Sequence, residues 1–285
     1  MSSRIPEDFF EESDDFSPKY NGADFSDSEY GEYDESFLTE EWMLEHLFQP
    51  GAEEVTESLW YEEDQLSGDR IGTPSESFVP EKYEPRYAYP LIVWLHSAAD
   101  GRPTLSSVMN TLSPQNYLSV SFRVANDSPV SSRSLASWPT SEAAVEKFLS
   151  EIHQVVCQLG SLYHVHTERI YLAGFEDAGA MALRLFLQRP DWFGGAAAFG
   201  TPFPDSMIIP EQMPILEEKR VLVAQGIKDP VSSIADSVCW TRTFKQAGVD
   251  LTTKLFDGQH ELTPEMLKYV NEWLMHGLYA DNMIY

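Results

Sequence analysis

Short, unbroken apolar runs alternating with helix-period segments constrain this chain more than any other feature. Leu91-Ile-Val-Trp-Leu95 contains no polar residue and is bounded by Pro90 and a polar loop. A strand buried on one face alternates apolar and polar residues, whereas a continuous run of this length reads as a strand covered on both faces. The spacing predicts further strands at Tyr117–Val124, Arg169–Ala173, Gly195–Phe199, Arg220–Gln225 and Asp250–Phe256. Helical segments fall between or after them: Ser141–Leu159, with Ala144, Phe148, Ile152 and Val155 along one side, then Gly179–Gln188, Ile234–Gln246 and Pro264–Met275. This alternation predicts an α/β fold with a mostly parallel central sheet and helices on both faces. In such sheets function collects at the carboxyl ends of the strands. Here those ends are the loops Leu95–Thr104, Ala173–Gly179, Gln225–Ser232 and Phe256–Thr263.

The N-terminal quarter has a different texture. The chain carries a net charge of −27, and residues 1–66 hold 21 acidic against 2 basic residues, a net of −19. Nucleic acid is not an expected partner, because a phosphate backbone would be repelled. Residues 1–38 are acidic and serine-rich, with single aromatics such as Phe9, Phe16, Tyr20 and Tyr30. They hold too little clustered apolar surface to offset the entropy of ordering, so a disordered acidic tail is expected. Such a tail solvates the chain or, in an alternative reading, docks on a basic protein partner. Thr39 can cap a short helix running to Gln49, ended by Pro50-Gly51. Residues 39–75 read as that helix plus an acidic linker, and 76–285 as the folded domain. No run of 18 apolar residues exists, so no membrane span is expected. The acidic start lacks the apolar core of a secretory signal, and two cysteines do not make a disulfide framework, so a cytoplasmic setting is expected. Cys157 and Cys239 read as small buried hydrophobes.

Four of the segments carry motifs. YPLIVWLHS at 89–97 resembles the strand and His-Gly loop of esterase-type α/β-hydrolases. RIYLAGFEDAGAMALRLFLQRPDWFGG at 169–195 resembles their strand, nucleophile elbow and following helix. GIKDPVS at 226–232 resembles the loop bearing the catalytic acid, and DGQHELTPEML at 257–267 the loop bearing the histidine. The order nucleophile, acid, histidine is that of the family. The region of about 200 residues is similar to the phospholipase/carboxylesterase branch, including polyhydroxyalkanoate-depolymerase-like proteins. The resemblance implies the α/β-hydrolase fold and an ester-like small molecule as ligand. No cofactor or metal is expected.

The resemblance breaks at the elbow. The family's G-x-S-x-G lifts a serine above the sheet on a sharp strand-to-helix turn. Here the residues are Gly174-Phe175-Glu176-Asp177-Ala178, followed by Gly179. Gly174 and Ala178 occupy the small-residue positions, so Glu176 stands where the serine would. Placing Asp177 at the tip would put bulky Phe175 in a small-residue position. Asp229 and His260 match the family's acid and base. Read alone, Asp229 is an ordinary turn residue before Pro230 and His260 a loop residue beside Gly258. The family's oxyanion hole implies the N–H of Asp177 and a donor from the loop of Ser97 and Ala98, which lacks the family's glycines; Ser97 is not read as a substitute nucleophile, because it lies on that different loop, where the family places a glycine.

A carboxylate at the elbow changes the chemistry. Relatives of this fold that use aspartate as nucleophile form an alkyl ester. Glutamate is one methylene longer, and a misplacement of about 1 Å can cost a hundredfold in rate. A fixed negative charge also opposes oxyanion stabilisation. Glu176 would instead pair with His260 and occupy the site. Three functions follow: an esterase-like protein that has lost serine catalysis and serves in binding or scaffolding; an active hydrolase using Glu176 as nucleophile or base; or an interaction protein acting through its tail. The remaining candidates carry less. His153, His164 and His166 read as surface histidines without a third metal ligand. Trp94, Trp192, Trp240 and Trp273 read as core. The FGTPFP segment at 199–204 reads as a connection or one wall of a pocket.

Overall fold

The structure, a computed structural model, describes residues 70–97, 103–124, 137–203, 214–217 and 219–282. The expected tail at 1–38, the helix from Thr39 to Gln49 and residue Ala98 lie outside the described residues.

Seven strands form one sheet: β1 (Gly72–Phe78), β2 (Tyr89–Leu95), β3 (Leu118–Val124), β4 (Val165–Phe175), β5 (Gly195–Phe199), β6 (Arg220–Gly226) and β7 (Asp250–Phe256). The order is β1-β3-β2-β4-β5-β6-β7, with β1 antiparallel to β3 and every other pairing parallel. The helices are α1 (Leu105–Leu112), α2 (Glu142–Leu162), α3 (Asp177–Gln188), α4 (Ile234–Gln246) and α5 (Pro264–Asn282).

The central strands are buried on both faces, as their unbroken apolar runs predict. Along β2, Leu91, Val93 and Leu95 enter one core while Ile92 and Trp94 enter the other. Successive side chains of a strand point to opposite faces, so β5 and β6 divide in the same way: Ala196, Ala198, Val221 and Val223 to the first core, Ala197, Phe199, Leu222 and Ala224 to the second. Helices α2, α3 and α4 supply the first core with residues such as Phe148, Phe186 and Trp240. Helices α1 and α5 cover the second with Met109, Leu112, Met266 and Trp273. Helix α3 is apolar almost all round, with nine buried residues, because it packs across the middle of the sheet.

Two elements escape the sequence pattern. The sheet begins at Gly72, inside the segment read as linker. The GTPSESF of β1 offers no apolar run and contains Pro74, which an edge strand at a bulge tolerates. Tertiary contacts hold it: the Glu151 carboxylate accepts from the N–H groups of Ile71 and Gly72 at 3.0 and 2.9 Å. Helix α1 follows the polar loop after β2, in a stretch to which the sequence pattern gave no element, and its N-terminus is tied to β1 where Glu76 accepts from the Leu105 N–H at 2.9 Å.

Several expectations on single residues are corrected. Cys239 is exposed on α4, and Cys157 is half-buried on α2, where its Sγ lies 3.7 Å from His153 Nε2. His153, His164 and His166 are half-buried rather than on the surface. Burial, and then the Arg189 guanidinium, push the His153 imidazole below its ordinary value, and burial followed by Arg169 does the same to His166. Trp94, Trp240 and Trp273 are core residues, but Trp192 is half-buried in the α3–β5 loop, with the Arg189 guanidinium 4.0 Å above its ring.

Candidate active site

The carboxyl ends of β2, β4, β6 and β7 converge on one site. At the end of β4 the chain turns sharply into α3, and the turn residue is Glu176, at φ 58° and ψ −126°. Among the described residues it is the non-glycine residue with positive φ. An L-residue held there stores strain, a pattern typical of functional turns. The small residues around it have steric reasons. A Cβ on Gly174 would lie 2.6 Å from the Ala178 carbonyl carbon and 2.8 Å from the Gly179 nitrogen, and one on Gly179 would collide with the Thr201 hydroxyl. The turn is pinned from β5: Glu176 N–H donates to the Phe199 carbonyl at 2.9 Å, and the Thr201 hydroxyl donates to the Glu176 carbonyl at 3.2 Å.

The Glu176 carboxylate is held at both oxygens. His260 Nε2 lies 2.7 Å from Oε1, and the Ser97 hydroxyl donates to Oε2 at 2.5 Å. On the far side of the imidazole, Nδ1 lies 2.8 and 2.9 Å from the two oxygens of Asp229. Asp229 Oδ1 also accepts the N–H groups of Val231 and Ser232 at 2.7 and 2.8 Å, so this carboxylate is fully engaged. It is both a turn residue and the imidazole's partner. Side-chain exposure grades outward along the chain of contacts, from 1% at Asp229 through 15% at His260 to 27% at Glu176. Glu176 is therefore the member most open to a ligand.

The two loops bearing Asp229 and His260 lock together. Ile227 N–H donates to Phe256 O and Lys228 N–H to Gly258 O, at 2.8 and 2.9 Å. Gly226 permits this approach: a Cβ there would sit 2.5 Å from the Gly258 carbonyl oxygen. At the exposed rim, Lys228 Nζ lies 2.7 Å from Asp257; the hydrogen bond raises the lysine's pKa and lowers the aspartate's. The segment at 199–203 closes another side. Gly200, at φ +50°, brings its backbone against the Phe175 ring and within 3.4 Å, measured from an added Cβ, of Asp229 Oδ2 and His260 Cε1. Phe203 N–H donates to Asp236 at 3.0 Å. Burial works to raise the Asp236 pKa, but hydrogen bonds from the Ser233 hydroxyl and these backbone N–H groups hold it below the usual range.

Residues 129–277 match the family described as Phospholipase/Carboxylesterase, just over half of the chain. The chain belongs to that family. Similarity to individual members of the Phospholipase/Carboxylesterase family is distant. The Arabidopsis thaliana protein named "Probable carboxylesterase SOBER1-like" is 26% identical over 212 residues, covering 67% of this chain and 80% of its own. Carboxylesterase SOBER1 of Arabidopsis thaliana is 24% identical over 208 residues, 66% of this chain and 90% of its own. Among solved structures, the Bacillus cereus carboxylesterase superposes with a TM-score of 0.55 at 18% identity, covering 78% of this chain and all of that one. The α/β-hydrolase fold is thereby supported from sequence and shape alike.

Of the residues singled out by sequence, the structure brings Glu176, Asp229, His260 and Ser97 into one hydrogen-bonded chain. Asp177 stands at the first position of α3, where a helix offers its N–H no intrahelical acceptor. Three participants were given no role by the sequence. The Phe175 ring packs on the His260 imidazole with centroids 5.0 Å apart. Thr201 holds the elbow carbonyl, and Trp138 Nε1 donates to the His96 carbonyl at 3.0 Å, fixing the loop that carries Ser97. The register of β2 on β4 brings Ser97 to the elbow. Leu95 pairs with Gly174, so Ser97 and Glu176 both stand two residues beyond the paired positions. Among the described residues no cluster of His, Cys, Asp and Glu could hold a metal ion. No described helix is long and apolar enough to cross a membrane.

Proposed function

We propose that this chain is a phospholipase/carboxylesterase-type protein in which Glu176 stands in place of the elbow serine, so that acyl transfer at the elbow is lost and the site serves to bind an ester-like small molecule. One observation carries the reading: the strained elbow presents a carboxylate that lies 2.7 Å from His260 Nε2. In a serine triad this nitrogen accepts the nucleophile's proton. Here each imidazole nitrogen faces an acceptor-type carboxylate and needs a proton between the heteroatoms. Nε2 is thus engaged by the protein itself. A fixed negative charge on the elbow side chain also opposes an oxyanion forming at the elbow. On the same reading the acidic residues of the N-terminal segment serve a basic protein partner through their net negative charge.

A second reading has its own support. Asp229, His260 and Glu176 remain connected through hydrogen bonds, and Glu176 is the most exposed of the three. The site then acts as a hydrolase with Glu176 as nucleophile or base.

Hydrolysis of short-chain p-nitrophenyl esters separates the two. On the first reading the wild type shows no turnover, whereas Glu176→Ser gains it, because the remaining machinery is assembled. Wild-type turnover that disappears in His260→Ala refutes the first reading and establishes the second.

A further inference from the structure

We infer that Ser97 is the acyl-accepting hydroxyl of this site, with Glu176 as its general base. This rests on the second reading above, in which Glu176 acts as a base. The geometry is direct. The Ser97 hydroxyl donates to Glu176 Oε2 at 2.5 Å, within the reach a general base needs. The other oxygen of the same carboxylate is held by His260 Nε2, and His260 by Asp229. Ser97, Glu176, His260 and Asp229 thus form a four-membered relay in which Glu176 occupies the place between hydroxyl and imidazole. The sheet register builds it, since Leu95 of β2 pairs with Gly174 of β4 and the two chains leave the sheet side by side. The Ser97 backbone is steadied by Trp138 through the preceding carbonyl.

The position of Ser97 also eases the electrostatic difficulty at the elbow. A carboxylate that attacked an ester itself would yield an anhydride. A carboxylate that only removes a proton becomes neutral as the oxyanion forms, so the two negative charges do not coexist. In the acylation step the Ser97 Oγ–carbonyl bond forms and the Ser97 proton passes to Glu176. Collapse breaks the bond to the leaving alcohol, which takes that proton. Water then attacks the acyl-Ser97 ester and gives a proton to Glu176, which passes it to Ser97 Oγ as the acyl–oxygen bond breaks, releasing the carboxylic acid and restoring the free hydroxyl and the carboxylate. The substrate class is a carboxylic ester, and no further reactant is needed.

A fluorophosphonate probe tests the relay, since Ser97 Oγ would displace fluoride from phosphorus while Glu176 accepts the proton. Peptide mapping by mass spectrometry of the labelled full-length protein is expected to place the adduct on Ser97. Ser97→Ala is expected to lose it. Glu176→Gln, which keeps the shape but cannot accept the proton, is expected to slow labelling about a hundredfold or more, the range of general-base contributions. No adduct at Ser97 in the wild type, or labelling at an undiminished rate in Glu176→Gln, overturns the inference. Because Ser97→Ala can fail through misfolding, the wild-type map and the Glu176→Gln rate decide the matter without it. Glu176→Ser serves as the separate arm. Labelling at its substituted position with Ser97 unlabelled in the wild type overturns the inference and leaves the first reading, loss of acyl transfer at the elbow, standing. No labelling in either protein overturns both.

Discussion

The backbone at residue 176 permits a sign-reversal test. At φ 58° and ψ −126°, Glu176 holds a conformation that glycine adopts freely and residues with a Cβ do not. A non-glycine residue in such a region stores about 1–3 kcal/mol. At an unstrained site, glycine is less stable than alanine by roughly 0.4–1 kcal/mol, because it loses more chain entropy on folding. Glu176→Ala and Glu176→Gly both remove the contacts to His260 and Ser97, so those terms cancel in the comparison. Taking the middle of each range leaves Glu176→Gly about 1 kcal/mol more stable than Glu176→Ala. That corresponds to about 2–4 °C in melting temperature for a domain of this size. Thermal unfolding followed by circular dichroism, with urea titration as a second measure, reads the difference. Equal stability, or alanine above glycine, refutes the strained-elbow account and with it the view that this turn presents its side chain against a local energetic cost.

Two further perturbations probe the scaffold. Phe186 is fully buried in the middle of α3, and Phe186→Ala is expected to cost about 3–5 kcal/mol in urea unfolding; a loss below about 1 kcal/mol would mean that the helix does not pack across the sheet. His153 is pushed below its ordinary 6.5 by burial and then by Arg189. Between the folded value and 6.5 the unfolded chain binds a proton that the folded chain does not, so this contribution is present above 6.5 and is lost as the pH falls through the folded value. From about pH 7.5 to about pH 5.5 the wild type is expected to lose more melting temperature than His153→Gln; parallel losses would exclude the histidine as the source.

The sheet was legible in sequence where both faces of a strand are covered. Leu91–Leu95 had to be apolar throughout because alternate residues enter different cores, and that leaves a run no loop would carry. Helix α2 was legible from Phe148 and Ile152 at helical spacing. Strand β1 was not, since an edge strand needs few apolar residues and its backbone is secured by Glu151 from a helix some 80 positions away. Helix α1 was hidden for a related reason: its short sequence follows a polar loop, and its tie to Glu76 lies 29 residues upstream.

The site divides in the same way. Gly174, Ala178 and Gly179 announce a tight turn and mark Glu176 as its tip, because small residues are needed where strand and helix backbones nearly touch. The order of Asp229 and His260 after it implied their meeting. No local pattern announces Phe175 as the platform for His260 or Thr201 as the anchor of the elbow carbonyl, because each acts on a partner from another strand.

The sequence by itself determined the α/β alternation, the turn at residue 176 and the chemical type of the group it carries. These follow from side-chain polarity and backbone sterics within a few residues. Only the tertiary structure decided that the carboxylate is shared between an imidazole 84 residues later and a hydroxyl 79 residues earlier. Strand register and the packing of four loops set those distances, and hydrogen bonds form or fail over tenths of an ångström, a scale no one-dimensional pattern encodes.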